Sequence, residues 1–194
     1  MSELKVSAIL LAAGLSRRMG GRDKLLLLYR GKTLLQLAVG LLDSMPVFEK
    51  ILVTTAERME KVAIPATVRG VINPNPEEGQ SGSIRLGLEL ATGEWYLFMA
   101  ADQPGLTTDC LLRILDIARE NPDKIVYPSI SGMPTMPCLF PARFKEALMR
   151  LSGDTGGRAV REAYPGDCLT FEAENPESYL DIDSEEDWIK SKEI

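Results

Sequence analysis

The chain has 194 residues, 45% of them hydrophobic and 26% charged, and we expect it to fold as a single domain over residues 1–194. Its 22 Lys and Arg against 28 Asp and Glu give a formal net charge of −6, so a nucleic-acid partner is not expected. The absence of histidine excludes Ser-His-Asp triads, Cys-His dyads and HExxH zinc sites.

Cysteine usage and hydropathy indicate the compartment. Cys110, Cys138 and Cys168 are widely spaced and form no CxxC pair, which is typical of buried thiols in a reducing environment. The N-terminal apolar run stops at Gly14, and no run approaches the roughly 20 residues that a membrane span needs. We therefore expect a cytoplasmic protein with no membrane partner.

Apolar runs of strand length alternate with helical patterns along the first two thirds of the chain. They predict strands at 6–11, 50–55, 68–72 and 95–101, and helices at 33–44, 83–91 and 109–119. The less regular last third predicts strands at 125–127, 138–140, 169–172 and 179–182, and helices at 144–151, 157–164 and from Ser184, where Asp187 completes a capping box. This order predicts an α/β fold with an open, mostly parallel sheet and helices on both faces, in three layers.

The loop after the first predicted strand, residues 11–24, combines three glycines with four cations. Glycines let backbone N–H groups approach a ligand closely, and Arg17, Arg18, Arg22 and Lys24 supply the positive charge. In an acidic chain this local excess favours a bound triphosphate over the alternative, a solvated basic loop.

Two other loops at the same predicted edge of the sheet are unusual. In the loop 73–83, prolines and glycines flank a helix start, and Gln80 has both the donor and the acceptor to read a base; the alternative is a plain capped turn. Asp102 directly follows the strand 95–101, where a carboxylate is a natural Mg²⁺ ligand; the alternative is an Asx-turn before Pro104.

A second acid lies near the C-terminus. Strand alternation would put Asp181 and Asp183 on one face, with Asp183 nearer the end of the strand, so Asp183 is a second candidate Mg²⁺ ligand. The alternative is a helix-capping role beside Ser184.

Together these loops resemble the molybdenum cofactor nucleotidyltransferases, the MobA-like branch of the NTP transferases, and the cytidylyltransferase members most closely. The likeness rests on residues 11–20 and 23–26, followed in family order by shorter matches at 73–74, 79–81, 101–104, 153–158 and 181–184. The resemblance implies transfer of CMP from CTP, or GMP from GTP, to the terminal phosphate of molybdopterin, with release of pyrophosphate. Such transfer needs positioning and charge neutralisation rather than a protein nucleophile.

The resemblance also implies roles for individual residues. Lys24 and Arg18 would bind the phosphates and act in catalysis, and Asp102 with Asp183 would hold Mg²⁺. The implied nucleotide-binding residues are Leu11, Ala12, Ala13, Gly14, Ser16, Arg17, Gly20, Lys24, Asn73, Gln80 and Ser81. Guanylyltransferase relatives tend to have glycine at the place of Ala13, so CTP is the expected donor.

One departure concerns the acceptor. The triplet Thr135-Met136-Pro137 stands where cytidylyltransferase relatives usually have Gly-His-Pro, so Met136 replaces a histidine that could contact the acceptor; alternatively, Met136 is core packing. Three hypotheses stay open: a molybdopterin cytidylyltransferase, a nucleotidyltransferase for a sugar or polyol phosphate, and a non-catalytic nucleotide- or pterin-binding chaperone for a client molybdoenzyme.

Overall fold

The computed structural model describes residues 4–191. Its strands are β1 (Val6–Ala12), β2 (Leu28–Tyr29), β3 (Lys32–Thr33), β4 (Glu49–Thr54), β5 (Arg69–Ile72), β6 (Trp95–Ala100), β7 (Ile125–Ile130), β8 (Met133–Pro134), β9 (Cys138–Pro141) and β10 (Cys168–Glu172). Its α-helices are α1 (Leu34–Ser44), α2 (Ala56–Lys61), α3 (Gln80–Leu90), α4 (Thr108–Glu120), α5 (Lys145–Met149), α6 (Gly157–Ala163) and α7 (Glu185–Ser191). Among the described residues, no helix is long and apolar enough to cross a membrane.

The main sheet has the strand order β10-β7-β9-β6-β1-β4-β5, with β8 paired to β7. β1 is parallel to β4 and β6, β4 is parallel to β5, and β7 is parallel to β10, whereas β9 is antiparallel to both of its neighbours. β1 is therefore central, and the chain continues to β4 on one side and later to β6 on the other. The carboxyl ends of β1 and β6 consequently meet at a topological switch point, where open sheets bind ligands.

The buried side chains form two clusters, one on each face of the sheet. Alternation along β1 sends Ala8 and Leu10 to one cluster and Ile9 to the other. The first cluster packs against α1 and α4, and the second against α3, α5 and α6. Helices therefore cover both faces, which confirms the predicted three-layer, mostly parallel α/β architecture.

Side-chain caps begin several helices. Thr33 and Gln36 form a reciprocal capping box at α1, and Thr107 accepts from the Cys110 N–H at α4. The predicted capping box of Ser184 and Asp187 is confirmed, since each side chain accepts from the backbone N–H of the other. These caps satisfy N–H groups that the first helical turn leaves without partners.

Some local predictions were wrong or incomplete. The strand predicted at 179–182 does not form; a 3-10 turn covers Pro176–Tyr179, and the backbone beyond it bonds to other loops. α3 begins at Gln80, three residues before the predicted start at 83. The short helix α2, the β2–β3 hairpin and β8 were not predicted, because these short elements carry little apolar periodicity.

Candidate functional site

A cavity of about 380 Å³ lies at the carboxyl ends of β1 and β6. Most of the predicted site residues line it: Leu11, Ala13, Gly14, Ser16, Arg17, Arg18, Lys24, Gln80, Asp102 and Asp183. Four others, Ala12, Gly20, Asn73 and Ser81, are not among its lining residues.

The glycine-rich loop after β1 crosses this cavity with an irregular backbone. Ser16, Gly20 and Gly21 all have positive φ (51°, 59° and 88°). Two of these three residues are glycines, which adopt such angles without strain. Met19 anchors the loop, since its side chain is fully buried in the first core cluster. Ser16 closes it, because its Oγ accepts from the Lys24 N–H at 3.2 Å.

Arg58, on α2, holds the base of the loop and is a residue that the sequence analysis missed. Its guanidinium is buried and donates to the carbonyls of Ala12 (2.6 Å) and Gly14 (2.7 Å). It also makes a two-point ion pair with Asp23, at 2.7 and 2.8 Å. Arg58 thereby ties both ends of the loop together, and Ala12 contributes backbone to this arrangement rather than a side chain to the cavity.

The charged centre of the cavity is Lys24, whose Nζ lies 2.5 Å from an Asp102 oxygen and 2.8 Å from an Asp183 oxygen. Burial alone would lower the pKa of Lys24, but the two carboxylates outweigh it and raise that pKa. Burial would likewise raise the pKa of Asp183, but Lys24 and then Arg18, 2.8 Å away, lower it. The lysine and Asp183 are therefore both charged at neutral pH.

Asp181, which the sequence paired with Asp183 on a strand face, belongs to the same acidic group. Desolvation, followed by the Asp102 and Asp183 charges, raises the pKa of Asp181 to about 7, and Lys24 partly offsets this. Of these three acids, Asp102 and Asp183 line the cavity, whereas Asp181 does not, and no regular strand of the described residues presents Asp181 and Asp183.

Backbone hydrogen bonds bring this C-terminal segment to the end of β6. The Ile182 N–H donates to the Asp102 carbonyl at 2.9 Å. Gln103, which is buried, donates its side-chain amide to the carbonyls of Tyr179 (2.8 Å) and Met136 (3.1 Å). Asp183 therefore faces Asp102 because two loops are joined directly, which the sequence order alone could not show.

The residues at the active-site cleft fit a divalent cation. One Asp102 oxygen, Oδ1, is buried without a hydrogen-bond partner among the described residues, and both carboxylates already approach one cationic nitrogen. Residues 4–191 contain no cluster of three or more protein ligands. Two carboxylates suffice for Mg²⁺, which completes its shell with substrate phosphates and water.

The loop before α3 forms the opposite wall. Gly79 has φ +86°, and a Cβ there would lie 2.5 Å from the Asp154 Cα, so glycine permits this close approach of two loops. Ser81 is fully buried and donates to the Gly153 carbonyl at 2.7 Å, while Asn73 donates to the Ser83 Oγ at 3.1 Å. Asn73 and Ser81 therefore shape the wall that carries Gln80, and their side chains bond to protein.

A second cavity of about 260 Å³ adjoins the first and shares Leu11, Gln80 and Asp154 with it. Its other walls are mainly apolar side chains of α3, β6 and β9, together with two arginines of α6. Met136, which stands in place of the histidine usual among cytidylyltransferases, lines this second cavity. Nothing in the sequence analysis predicted the second cavity, because it forms only when α6 packs against β9.

An open α/β sheet with a cationic glycine-rich loop and an acidic group at its switch point is typical of enzymes that bind a nucleoside triphosphate and transfer part of it. Residues 8–168 match the model of the MobA-like NTP transferase domain. The chain belongs to this family, and it is a nucleotidyltransferase.

Two relatives cover most of the chain. It is 28% identical over 193 residues to the molybdenum cofactor cytidylyltransferase of Escherichia coli (strain K12), covering 97% of this chain and 96% of the relative. It is 27% identical over 174 residues to the molybdenum cofactor guanylyltransferase of Pseudomonas syringae pv. tomato, covering 88% and 85%.

A solved structure shares the fold. Rv0371c from Mycobacterium tuberculosis H37Rv matches with a TM-score of 0.82 at 23% identity over the full length of both chains. A complex of Rv0371c with manganese matches with a TM-score of 0.76 at 21% identity, covering 97% of this chain and 98% of that one.

Proposed function

We propose that the protein transfers CMP from CTP to the terminal phosphate of a molybdopterin-type acceptor, in a Mg²⁺-dependent reaction that releases pyrophosphate. The observation that carries the proposal is the contact of Lys24 with Asp102 and Asp183 beside the glycine-rich loop. In this centre Lys24 would bind the phosphates, and the two carboxylates beside it would bind the metal ion. The relatives of similar length are named for cytidylyl and guanylyl transfer with molybdenum cofactor.

In this reaction an oxygen of the acceptor phosphate forms a bond to the α-phosphorus of CTP. The bond from that phosphorus to the bridging oxygen of the β-phosphate breaks, and pyrophosphate leaves. The chain has no histidine, and none is required, because phosphoryl-type transfer depends on positioning and electrostatic stabilisation. The loop N–H groups with Arg17, Arg18 and Lys24 would orient the triphosphate and balance its charge.

The arrangement of Lys24 implies an exchange of partners on binding. Its ammonium now contacts Asp102 and Asp183, so its transfer to phosphate oxygens would free both carboxylates. Asp102 and Asp183 would then hold Mg²⁺, which when bound neutralises phosphate charge as a Lewis acid. The manganese complex of the mycobacterial neighbour adds support for a divalent cation.

Ala13 favours CTP as the donor. Its side chain is buried and lines the first cavity, where a methyl group narrows the space for a base. A single-ring pyrimidine needs less room than a purine and can still reach the Gln80 amide, which lines the same cavity. The chain matches both a cytidylyltransferase and a guanylyltransferase at similar identity. The choice between CTP and GTP therefore needs a direct measurement.

The decisive experiment measures pyrophosphate release with each of the four NTPs, with Mg²⁺ and with EDTA. Each NTP is tested without acceptor and with molybdopterin, the molybdenum cofactor, a sugar phosphate or a polyol phosphate. We expect release only with Mg²⁺, CTP and a molybdopterin-type acceptor. Turnover with a sugar or polyol phosphate alone would overturn the acceptor, and nucleotide binding without any turnover would favour the chaperone hypothesis.

A further inference from the structure

One wall of the second cavity carries a half-buried arginine with one donor atom that is unpaired within the described residues. Arg161, on α6, lines this cavity, and its Cζ lies 4.3 Å from the centre of the Tyr127 ring. Its Nη1 is buried and has no hydrogen-bond partner among residues 4–191. Proteins rarely leave such a donor unpaired, so an arginine on a cavity wall with an unpaired nitrogen suits a ligand that accepts a hydrogen bond.

The surroundings of Arg161 narrow the chemistry of that ligand. Ile84, Phe98 and Phe140 provide apolar and aromatic walls, and the Phe98 and Phe140 rings pack edge to face at 5.8 Å. Cys138 is buried, which raises the pKa of its thiol, so this thiol adds no charge to the cavity at neutral pH. A ligand for this cavity is flat and largely apolar in its faces, with a carbonyl oxygen or ring nitrogen at its edge.

Two glycines keep the wall between the cavities in place. A Cβ at Gly156 would overlap the Gln80 Oε1, and a Cβ at Gly157 would lie 2.9 Å from the Phe140 Cζ. A side chain at Gly156 would displace the Gln80 amide, and one at Gly157 would press on the Phe140 ring, so both glycines help to keep Gln80 on the boundary that the two cavities share. A ligand ring in the second cavity would accordingly lie one side chain away from the nucleotide.

We propose that the second cavity binds the pterin ring system of the acceptor, and that the Arg161 guanidinium donates a hydrogen bond to its carbonyl oxygen or a ring nitrogen. The inference rests on the proposed function, since it names the part of the acceptor that is recognised. A sugar or polyol phosphate fits this cavity poorly, because its many hydroxyl groups would meet apolar walls. Arg158 contributes less, because its side chain is exposed and already paired with Glu162 at 2.7 Å.

The test uses free pterin as the probe and its own fluorescence as the readout, with the full chain and the variant Arg161→Met. We expect saturable pterin binding to the wild type, unchanged by saturating CTP, and a dissociation constant at least tenfold higher for Arg161→Met. The matched control is Arg150→Met, on an exposed α5 residue paired with Glu146, which should bind pterin within twofold of wild type. Failure of the wild type to bind pterin, or equal binding by Arg161→Met, overturns the inference.

Kinetics separate this inference from the proposed function. For Arg161→Met, KM for molybdopterin should rise at least tenfold, whereas KM for CTP should stay within twofold, which also shows that the variant folds. Arg161→Lys keeps the positive charge but loses the planar guanidinium group. Its KM for molybdopterin should therefore lie between those of the wild type and Arg161→Met. Normal molybdopterin turnover by Arg161→Met would refute the pterin contact alone, whereas wild-type turnover only with other acceptors would refute the proposed function.

Discussion

The two adjoining cavities differ in how their charged groups are satisfied. In the first, Lys24 contacts Asp102 and Asp183, and Arg18 also contacts Asp183, so opposite charges face one another before any substrate is present. In the second, Arg161 lies against an aromatic ring and has an unpaired buried donor within the described chain. On our proposal, binding in the first cavity would exchange ionic partners, whereas binding in the second would supply a hydrogen-bond acceptor to Arg161.

This difference separates two tasks of a nucleotidyltransferase. Backbone N–H groups and ionic side chains recognise a triphosphate and a metal ion, which every nucleotide donor shares. Apolar walls with a single hydrogen-bond donor recognise the shape of a ligand and the polar atoms at its edge. These features distinguish one acceptor substrate from another. Substitutions in the first cavity should therefore impair use of every donor, and substitutions in the second should change use of the acceptor.

The largest effect is expected from Asp102→Ala. Loss of a carboxylate that would hold the metal ion should raise the barrier by on the order of 3 kcal/mol, or roughly 150-fold in kcat/KM. Pyrophosphate release measures this loss, and Asp116→Ala, an exposed α4 residue paired with Arg119, is the control. Turnover of Asp102→Ala within about threefold of wild type would remove Asp102 from the metal site.

A smaller but clear loss is expected from Lys24→Ala, because Lys24 would bind the triphosphate directly. We expect kcat/KM for CTP to fall about tenfold or more, roughly 1.4 kcal/mol, whereas Lys32→Ala, at an exposed lysine of β3, should change it by less than twofold. The acceptor KM should change little in either variant. Equal, small losses for both lysines would instead favour a solvated basic loop.

Arg58→Met tests whether the glycine-rich loop needs its buried anchor. Removing the guanidinium leaves Asp23 and the Ala12 and Gly14 carbonyls without this partner. Because Asp23 remains partly exposed, the expected cost is about 3 kcal/mol, which lowers Tm by roughly 6–12 °C. Calorimetry measures that shift, and KM for CTP should rise several-fold at a temperature where the variant is folded. An unchanged KM would mean that the loop keeps its shape without Arg58.

The sequence predicted the first cavity far better than the second, for physical reasons. β6 is a continuous apolar run and β1 is interrupted only by Ser7, and the polar residues that follow the two strands mark the sheet edge at which Lys24 and Asp102 meet. Arg58 and Arg161 lie on short helices whose many charges are typical of a solvated surface, so the burial of Arg58 and the place of Arg161 on a cavity wall depend on tertiary contacts. Local spacing cannot show such contacts.

The C-terminal acids illustrate the same limit. The alternating pattern at 179–182 suggested a strand with its acids on one face, but of Asp181 and Asp183 only Asp183 lines the first cavity. Two hydrogen bonds hold the segment instead: the Gln103 side-chain amide donates to the Tyr179 carbonyl, and the Ile182 N–H donates to the Asp102 carbonyl. They replace hydrogen bonds that a neighbouring strand would have made. Asp183 and Asp102 both contact the Lys24 Nζ, although the strand predicted at 179–182 is absent from the described residues, and the metal-binding role of Asp183 stays a prediction.

The smallest expected effect concerns the choice of base, through Ala13→Gly. Ala13 is buried at the end of β1 and lines the first cavity, so its methyl group reduces the space open to a purine more than to a pyrimidine. A pocket that discriminates by shape achieves roughly 10- to 200-fold, or about 1–3 kcal/mol, so the wild type should prefer CTP clearly but not absolutely. The measurement is kcat/KM for CTP and for GTP with molybdopterin as acceptor.

In Ala13→Gly this ratio should fall several-fold without reversing, since Gln80 still faces the base. The Ala13 methyl group lines the first cavity and not the second, so KM for molybdopterin should not change in Ala13→Gly. Arg161→Met should show the opposite result, with a changed KM for molybdopterin and an unchanged KM for CTP. Equal or better use of GTP by the wild type would contradict the cytidylyl assignment. An unchanged ratio in Ala13→Gly would leave that assignment intact and place the discrimination elsewhere on the first cavity wall, where the Gln80 amide is the next group to substitute.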